Sequence, residues 1–279
     1  MSEQKIAAMS QDQLWNGPAG QAWLKMESAL DALFKPFAAL LVDAVRWHAP
    51  RHVLDIGCGT GATTLAIARA LAPEGRCTGA DLSQALIDRA RAHAAAEGVD
   101  ASFRSGDASR LDGAGPFDMA VSRFGVMFFE DPGAAFARIR AAMTPGAPLA
   151  ALAWRSPEDN PFMTCAERAA APLLPPIPPA APGAPGQFGF ADPEHVRRIL
   201  AGSGWRDVAI TPINTECAMP HAALEPYVSS LGRVGAVLRE VDDATRARIV
   251  AAVLPAFAPF VDGDTVRFTA ACWMIEAKA

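Results

Sequence analysis

The sequence lacks the patterns that mark nucleic-acid binders and membrane-spanning proteins. It contains 25 basic and 30 acidic residues among 279, a formal net charge of −5, and no run of lysine or arginine. Binding to nucleic acid normally needs a basic stripe against the phosphates, so DNA or large RNA is disfavoured as a partner. No stretch of about 18 uncharged apolar residues occurs, and no membrane span is expected.

Signals for disulfides, metals and secretion are missing too. The five cysteines are scattered and odd in number, which favours reduced thiols in a cytoplasmic protein. The polar N-terminus leads into no apolar segment of the signal-peptide type. Neither a Cys-x-x-Cys pair nor a His-Glu-x-x-His pattern is present, so no metal site is predicted. The histidines do not cluster, and only His221 is retained as a candidate general base.

The most informative segment is a short apolar strand with an acid, followed by alternating glycines. Residues 53–56 read as a strand, and Gly57, Gly59 and Gly61 form a turn that leads into a helix. Glycine adopts positive φ and has no Cβ, so the backbone of such a turn can approach a ligand closely. The unpaired N–H groups of the following helix point back into the turn.

Two classes of ligand fit this turn. Gly57, Gly59 and Ala62 also satisfy the dinucleotide pattern G-x-G-x-x-G/A. A pyrophosphate there would lie close to Asp55, and like charges at short range in a sheltered site cost energy. A ligand with an ammonium and a sulfonium group avoids this repulsion. The acid therefore favours a cationic nucleoside, with a nicotinamide or flavin cofactor as the alternative.

Residues 53–61 resemble motif I of the class I S-adenosylmethionine-dependent methyltransferases. Trp15 and Trp23 resemble the N-terminal cover of small-molecule members related to quinone-biosynthesis enzymes, where aromatic rings shield a sulfonium through cation–π contact. Ordinary helix packing is the competing interpretation of both tryptophans. The resemblance covers most of residues 47–213 and the final strand. It implies S-adenosylmethionine as the cofactor and S-adenosylhomocysteine as the product.

The resemblance also implies roles for individual residues. Asp81, twenty residues after Gly61, would accept hydrogen bonds from the ribose hydroxyls, with Leu82 against the adenine face. Asp107 would accept from the adenine amino group, and Asp55 would act near the methionyl ammonium. Loop or capping acids are the alternative for Asp81 and Asp107. The predicted cofactor-binding residues are Asp55, Gly57, Cys58, Gly59, Asp81, Leu82, Asp107, Ala108, Ser122, Trp15 and Trp23.

By resemblance, the end of the fourth predicted strand, at residues 117–122, should face the departing methyl group. Ser122 is predicted to touch the methionyl part and Phe124 to wall the methyl site. Arg123 would bind an acidic group of the substrate or join a surface ion pair. The Asp/Asn-Pro-Pro-Tyr/Phe pattern of many enzymes that methylate amino groups of nucleobases or glutamine is absent here, which argues against that subclass.

Alternating strands and helices predict an α/β fold, in which a Rossmann-like sheet has helices on both faces. By resemblance the sheet is mostly parallel, with its last strand antiparallel and a helical lid above it. A helix ending near residue 34 is expected, with Pro36 in the first turn of the next one. A sixth strand is expected at 208–213. The predicted units are a helical cover (1–47), a core (48–154, 191–213 and 265–279) and two lid insertions (155–190 and 214–264).

The predicted reaction moves a methyl group by in-line displacement to an O, N or C atom of a small acceptor. Several apolar residues of the lid segments suggest that the acceptor is apolar or aromatic, namely Phe162, Met163, Leu173, Leu174, Ile177, Phe188 and Phe190. A protein or tRNA methyltransferase, a nicotinamide-dependent oxidoreductase and a non-catalytic binder are the alternatives. The sequence leaves the oligomeric state open.

Overall fold

The computed structural model describes residues 9–110, 113–174, 181 and 183–279. Within them, the strands are β1 (His52–Ile56), β2 (Arg76–Asp81), β3 (Ser102–Ser105), β4 (Met119–Arg123), β5 (Pro148–Trp154), β6 (Arg206–Pro220), β7 (Val261–Asp262) and β8 (Thr265–Lys278). They form one sheet in the spatial order β3-β2-β1-β4-β5-β8-β6, with β7 paired to β8.

The sheet has the predicted polarity. Strands β1 to β5 pair in parallel. Strand β8 runs antiparallel between β5 and β6. All residues of β1 are buried, as expected for a parallel strand covered by helices on both faces. The predicted fold class, with a mostly parallel sheet and an antiparallel last strand, is therefore confirmed.

Ten α-helices surround the sheet in the described residues. They are α1 (Gln11–Trp15), α2 (Pro18–His48), α3 (Ala62–Leu71), α4 (Gln84–Glu97), α5 (Pro132–Ala141), α6 (Pro161–Ala170), α7 (Pro193–Gly202), α8 (Leu224–Ser230), α9 (Gly232–Leu238) and α10 (Asp243–Val253). Side-chain caps fix several starts, since Ser83 accepts from the N–H of Leu86 and Asp131 from that of Ala134.

Helix α2 does not break at Pro36, so the predicted boundary there is wrong. The proline lies inside one continuous helix of 31 residues. An interior proline costs about 3 kcal/mol, because it removes a hydrogen bond and crowds the preceding turn. On both sides of it, Leu33, Phe37 and Leu41 are fully buried. Their burial offsets that cost, at about 2 kcal/mol for each large apolar side chain.

Strand β6 is much longer than predicted. It runs for 15 residues to Pro220 and pairs with β8 from Arg206 opposite Lys278 to Pro220 opposite Thr265. Residues 214–220, predicted to lie in the second lid insertion, therefore continue β6, and the helical turn that follows begins at His221. The pairing partner is more than forty residues away along the chain, which no local pattern reveals.

Candidate active site

One cavity of about 1100 Å³ lies at the carboxyl ends of the parallel strands. Its walls come from the loops after β1, β2, β3 and β4, from α1 and α2, and from α6, α8 and α9. Ligands bind in open α/β sheets at this edge, where neighbouring strand ends leave a crevice. The volume is at the upper end of the range for small-molecule sites.

The glycine turn after β1 has the backbone conformation that its sequence demands. Gly57, Gly59 and Gly61 have φ of +68°, +56° and +89°. A Cβ added to Gly57 would lie 2.8 Å from Cα of Gly125, so the glycine lets the β1 and β4 turns touch. The N–H groups of Gly57 and Cys58 donate to the carbonyl of Ala80, at 2.8 and 3.1 Å. The turn is thus held against the end of β2.

Asp81 is fixed at the end of β2 by two backbone donors. Its Oδ2 accepts from the N–H of Gly59 and its Oδ1 from the N–H of Ser83, both at 2.9 Å. Burial raises the pKa of this carboxyl, while the two hydrogen bonds lower it. Each oxygen keeps further acceptor capacity toward the cavity, which Asp81 lines.

Asp107 and Ala108 occupy the equivalent place after β3 and line the same part of the cavity. The Oδ1 of Asp107 accepts from the N–H of Ser109 at 2.8 Å, and its Oδ2 lies 3.5 Å from Nε of Arg110. The hydroxyl of Ser109 is buried without a hydrogen-bond partner. Leu82 also faces this end, so the three predicted contact positions after β2 and β3 converge.

Asp55 lies behind the glycine turn and is 1% exposed. Its Oδ2 accepts from the hydroxyl of Thr64 at 2.6 Å, whereas its Oδ1 has no partner. Burial raises the pKa of Asp55 to about 6, against the lowering effects of the Thr64 bond and of Arg123. Asp55 is not among the cavity-lining residues, so direct contact with a ligand ammonium is not built into this geometry.

Cys58 contributes to the cavity from the middle of the turn, but its thiol packs inward. It is 3% exposed and belongs to a small apolar cluster with Leu65, Ile87 and Phe103. A Cβ on Gly79 would lie 2.8 Å from Sγ of Cys58, so the sulfur rests against β2. Burial raises the pKa of the thiol, which keeps it protonated. A ligand would therefore meet the backbone of Cys58.

Trp15 and Trp23 both line the cavity, from α1 and α2. Their ring centroids lie 6.0 Å apart in an edge-to-face arrangement, and Trp15 also packs on Phe128 at 5.2 Å. The indole N–H of Trp23 is buried without a partner. Trp23 stacks on Phe34 at 6.2 Å. The two tryptophans thus cover the cavity and also pack within the helices, as both sequence interpretations expected.

Sequence reasoning missed Asn16, which joins this cover to the loop after β2. Its Nδ2 donates to the carbonyl of Leu82 at 3.0 Å, and its Oδ1 accepts from the N–H of Gln84 at 3.1 Å. The sequence shows Asn16 only as part of a helix-breaking Asn-Gly-Pro segment. The long-range partners that give it a role appear only in the fold.

The prediction that Ser122 touches the ligand is wrong. Ser122 is fully buried and does not line the cavity. Its hydroxyl donates to the carbonyl of Ile56 at 2.8 Å and accepts from the N–H groups of Gly125 and Val126, at 3.1 and 3.3 Å. All its hydrogen-bonding capacity is used to tie the β4 turn to β1.

Phe124 lines the cavity next to this turn, in an unusual backbone conformation. Its φ of +67° lies in the left-handed region, which costs a non-glycine residue about 1–2 kcal/mol. The ring stacks on Trp154 at 4.5 Å and packs edge-to-face on Phe37 at 4.9 Å. This packing holds Phe124 in the cavity wall.

Arg123 also lines the cavity, and the expectation of a surface ion pair for it is wrong. Its side chain is only 8% exposed, and its Nη2 lies 3.9 Å from Oδ1 of Asp31. The guanidinium carbon lies 5.9 Å from the centre of the Phe34 ring. Arg123 therefore puts a buried positive charge beside the glycine turn.

His221 does not belong to the site. It is exposed, does not line the cavity, and starts a 3₁₀ turn whose first N–H donates to the carbonyl of Asp264 at 2.8 Å. Its candidacy as a general base is not supported, because a base must come within hydrogen-bond reach of the acceptor.

The far end of the cavity is enclosed by the lid helices and is rich in aromatic rings. Of the apolar lid residues named from sequence, Phe162, Met163 and Phe188 line it. Leu174 and Phe190 are buried elsewhere, Leu173 is 42% exposed, and Ile177 lies outside the described residues. Residues not expected from sequence complete this end, namely Trp154, Ala166, Tyr227, Val228 and Phe257.

The part of the chain that the structure describes shows neither a metal-ion cluster nor a membrane-spanning helix. There, no group of three or more His, Cys, Asp or Glu side chains is placed to hold a metal ion. None of its helices combines the length and apolar character needed to cross a membrane. All five cysteines are free and buried.

A family model described as a methyltransferase domain matches residues 53–146. A demethylmenaquinone methyltransferase from Deinococcus radiodurans is 29% identical over 168 residues, which cover 57% of this chain and 69% of that protein. Nocamycin O-methyltransferase from Saccharothrix syringae is 32% identical over 114 residues, covering 40% of this chain and 41% of that protein. Both names describe methyl transfer, as residues 53–61 predicted.

A solved structure extends the likeness to the whole fold. Magnesium protoporphyrin IX methyltransferase from Synechocystis PCC 6803, solved with bound S-adenosylhomocysteine, has a TM-score of 0.57 to this chain at 12% identity. The match covers 99% of this chain and 100% of that one.

The residues present fit the cofactor of this family. The glycine turn leaves room for close approach, and carboxylates stand at the ends of β2 and the loop after β3. Buried polar atoms of Trp23, Asp55 and Ser109 have no hydrogen-bond partner in the part of the chain that the structure describes. An adenosine with an amino-acid tail offers groups that match such atoms. Residues 53–146 thus carry a methyltransferase domain, and the chain is similar to S-adenosylmethionine-dependent methyltransferases of small molecules.

Proposed function

We propose that this methyltransferase acts on a small acceptor that is apolar and aromatic. The observation that carries the proposal is the single cavity, which continues from the loops after β1–β4 to the lid. If the first part holds the cofactor, the remaining part is walled by Trp154, Phe162, Phe188, Tyr227 and Phe257. Aromatic walls favour a flat apolar molecule through area burial and ring stacking.

For the cofactor end we propose a division of roles among the residues after each strand. Asp81 accepts from the ribose hydroxyls, and Asp107 with the backbone of Ala108 meets the adenine edge. Leu82 packs on the adenine face. Asp55 acts on the amino-acid end from behind the turn, through its unpaired Oδ1. The support for each role is its position in the lining or, for Asp55, its unsatisfied acceptor.

When bound, the cofactor supplies a methyl group activated by its positive sulfur. The chain contributes positioning and the exclusion of water. Phe124, stacked on Trp154, forms a rigid wall at the β4 end, and the Trp15–Trp23 pair covers the cavity from α1 and α2. Holding two reactants in line and dry lowers the barrier by several kcal/mol without a charged catalytic group.

The names of the relatives agree with a small acceptor. One is named for demethylmenaquinone and another for nocamycin. A protein or RNA acceptor would need an open groove that leads to the methyl site, and a nucleic acid would need basic side chains along it. The aromatic end here lies beneath lid helices, and the cavity lining contains Glu130, Asp131 and Glu167 as well as arginines.

The test is methyl transfer from labelled S-adenosylmethionine to a panel of phenols and quinols, with bulk tRNA and a protein extract as rival acceptors. We expect label in an aromatic small molecule and a mass gain of one methyl group. Label in RNA or protein alone contradicts the acceptor class. Reduction of a nicotinamide cofactor without methyl transfer contradicts the reaction.

A matched pair of variants links the activity to the lid end. Ala166 lines the cavity from α6, whereas Ala169 on the same helix does not. Ala166→Phe should block transfer and leave S-adenosylhomocysteine binding intact, because the added ring fills acceptor space. Ala169→Phe should keep the activity. Equal transfer in both variants would show that the acceptor does not enter this space.

We place the reaction in the cytoplasm. All five cysteines are free, and burial raises the pKa of each thiol. Reduced buried thiols suit a reducing compartment. Localisation of a fluorescent fusion tests this placement, and signal confined outside the cytoplasm contradicts it.

A further inference from the structure

The guanidinium of Arg123 is buried at the cavity without a hydrogen bond to any described residue. Its side chain is 8% exposed, and the 3.9 Å separation from Asp31 is longer than a hydrogen bond. The buried Nη1 has no hydrogen-bond partner among the described residues. A charge taken out of water is costly unless it is paired and hydrogen-bonded. An arginine left in this state, in a cavity wall, indicates an anionic ligand.

A second unpaired donor lies close to it. The indole Nε1 of Trp23 is buried and partnerless, and a Cβ on Gly59 would lie 3.6 Å from it. Trp23 stacks on one ring, Phe34, at 6.2 Å, and the guanidinium of Arg123 lies 5.9 Å from the centre of the same ring. Two donors without acceptors therefore flank Phe34, next to the glycine turn.

The sheet order places these donors across the turn from Asp81. Strand β1 lies between β2, which ends in Asp81, and β4, which ends in Arg123. Two strand spacings separate these ends, about 10 Å in all. A ligand that crosses the turn would meet carboxylate acceptors at one end and cationic donors at the other.

S-adenosylmethionine has one anionic group, the carboxylate of its amino-acid tail. We propose that Arg123 and the indole N–H of Trp23 bind this carboxylate, so that the tail lies toward β4 and the nucleoside toward β2. Asp31 and Asp55 supply the surrounding negative charge, which balances Arg123 and favours the ligand ammonium nearby. Arg123 and Trp23 would act on the cofactor, so this proposal does not depend on the identity of the methyl acceptor.

Two ligands distinguish binding of the tail carboxylate from a general disturbance of the cofactor site. S-adenosylhomocysteine carries the tail, whereas 5′-methylthioadenosine keeps the adenosine and the sulfur but lacks it. In calorimetric titrations Arg123→Met should weaken the first ligand about tenfold to a hundredfold, as expected for a lost charge-assisted hydrogen bond. Binding of 5′-methylthioadenosine should not change. Arg248→Met, at an exposed position of α10, is the control and should affect neither ligand.

Trp23→Phe tests the second donor, since it keeps a ring and removes the N–H. We expect weaker binding of both S-adenosylhomocysteine and S-adenosylmethionine, with 5′-methylthioadenosine unaffected. If Trp23 acts only by cation–π contact with the sulfonium, the variant should weaken the binding of S-adenosylmethionine alone. That result would overturn the role of the Trp23 N–H in the proposal.

Arg123→Lys keeps the charge and loses the planar guanidinium. Its affinity for S-adenosylhomocysteine should therefore lie between those of wild type and Arg123→Met. It also serves if Arg123→Met does not fold. The inference is overturned if the Arg123 variants weaken both ligands equally, because Arg123 would then only support the fold. It is equally overturned if neither ligand is affected.

Discussion

Asp55 makes the stability of this protein depend on pH in a way that one substitution should remove. Burial raises its pKa from the ordinary 3.8 to about 6. The folded state therefore holds this proton more tightly than the unfolded chain does. The stabilising contribution grows as pH falls from neutral through about 6 toward 3.8, and it is lost as pH rises through about 6.

The size of the effect follows from the separation of the two pKa values. Each unit corresponds to about 1.4 kcal/mol, so about two units set a ceiling of roughly 3 kcal/mol. Between about pH 7.5 and pH 5, the folded carboxyl takes up its proton while the unfolded one remains ionised. Over this window the free energy of unfolding should rise by about 1.4 kcal/mol from Asp55 alone.

Asp55→Asn keeps the shape and the acceptor for the Thr64 hydroxyl but cannot titrate. Urea unfolding at the two pH values, at constant ionic strength, gives the change in the free energy of unfolding for wild type and for the variant. Burial also raises the pKa values of Asp31 and Asp81. These carboxyls titrate in both proteins, so their contributions cancel when wild type and variant are compared. We expect the variant to lack about 1.4 kcal/mol of the rise. Identical pH dependence in the two proteins would refute the burial argument.

Three further perturbations test the site. Asp81→Ala should weaken S-adenosylhomocysteine binding by about 1–3 kcal/mol in a titration, through the loss of ribose acceptors, and unchanged affinity removes the ribose role. Gly57→Ala should lower the free energy of unfolding in urea by about 2–5 kcal/mol, because the alanine would be strained at positive φ and its Cβ would clash with the backbone. In the control Gly98→Ala, φ is also positive but no atom lies near the added Cβ, so only the cost of the backbone strain should remain. Asn16→Ala should reduce the unfolding free energy by about 1–3 kcal/mol, as two hydrogen bonds are lost, and wild-type stability would show that Asn16 does not tie the cover to the loop.

The sequence predicts best where a local rule determines the structure. The acid–glycine segment needs positive φ at alternate positions, and only glycine supplies that conformation at low cost. The caps at Ser83 and Asp131 are equally local, since each side chain bonds an N–H three residues ahead. The glycine segment and the acids Asp81 and Asp107 that follow the next two strands are recognisable from the sequence, and they form one wall of the cavity.

Prediction fails where packing across the chain overrides a local rule. Pro36 is a helix breaker in isolation, yet buried neighbours on α2 keep the helix intact. Ser122 follows a strand at the expected place, yet its hydroxyl is taken up by Ile56 of β1 and by the turn after β4. Asn16 looks like part of a break, and its partners lie 66 and 68 residues away.

The charges across the strand ends explain why this turn suits a cationic nucleoside better than a dinucleotide. Asp81 and Asp107 stand on the β2 and β3 side, Asp55 lies behind the turn, and the nearest buried cation, Arg123, is on β4. A pyrophosphate over the turn would face three carboxylates in a site with little water to screen them. An amino-acid tail that reaches β4 instead brings a single carboxylate to Arg123 and keeps its positive groups near the acids. Because this arrangement depends on strand order, reversing the charge at Arg123 should abolish binding of S-adenosylhomocysteine in a titration, and retained binding would show that the tail takes another path.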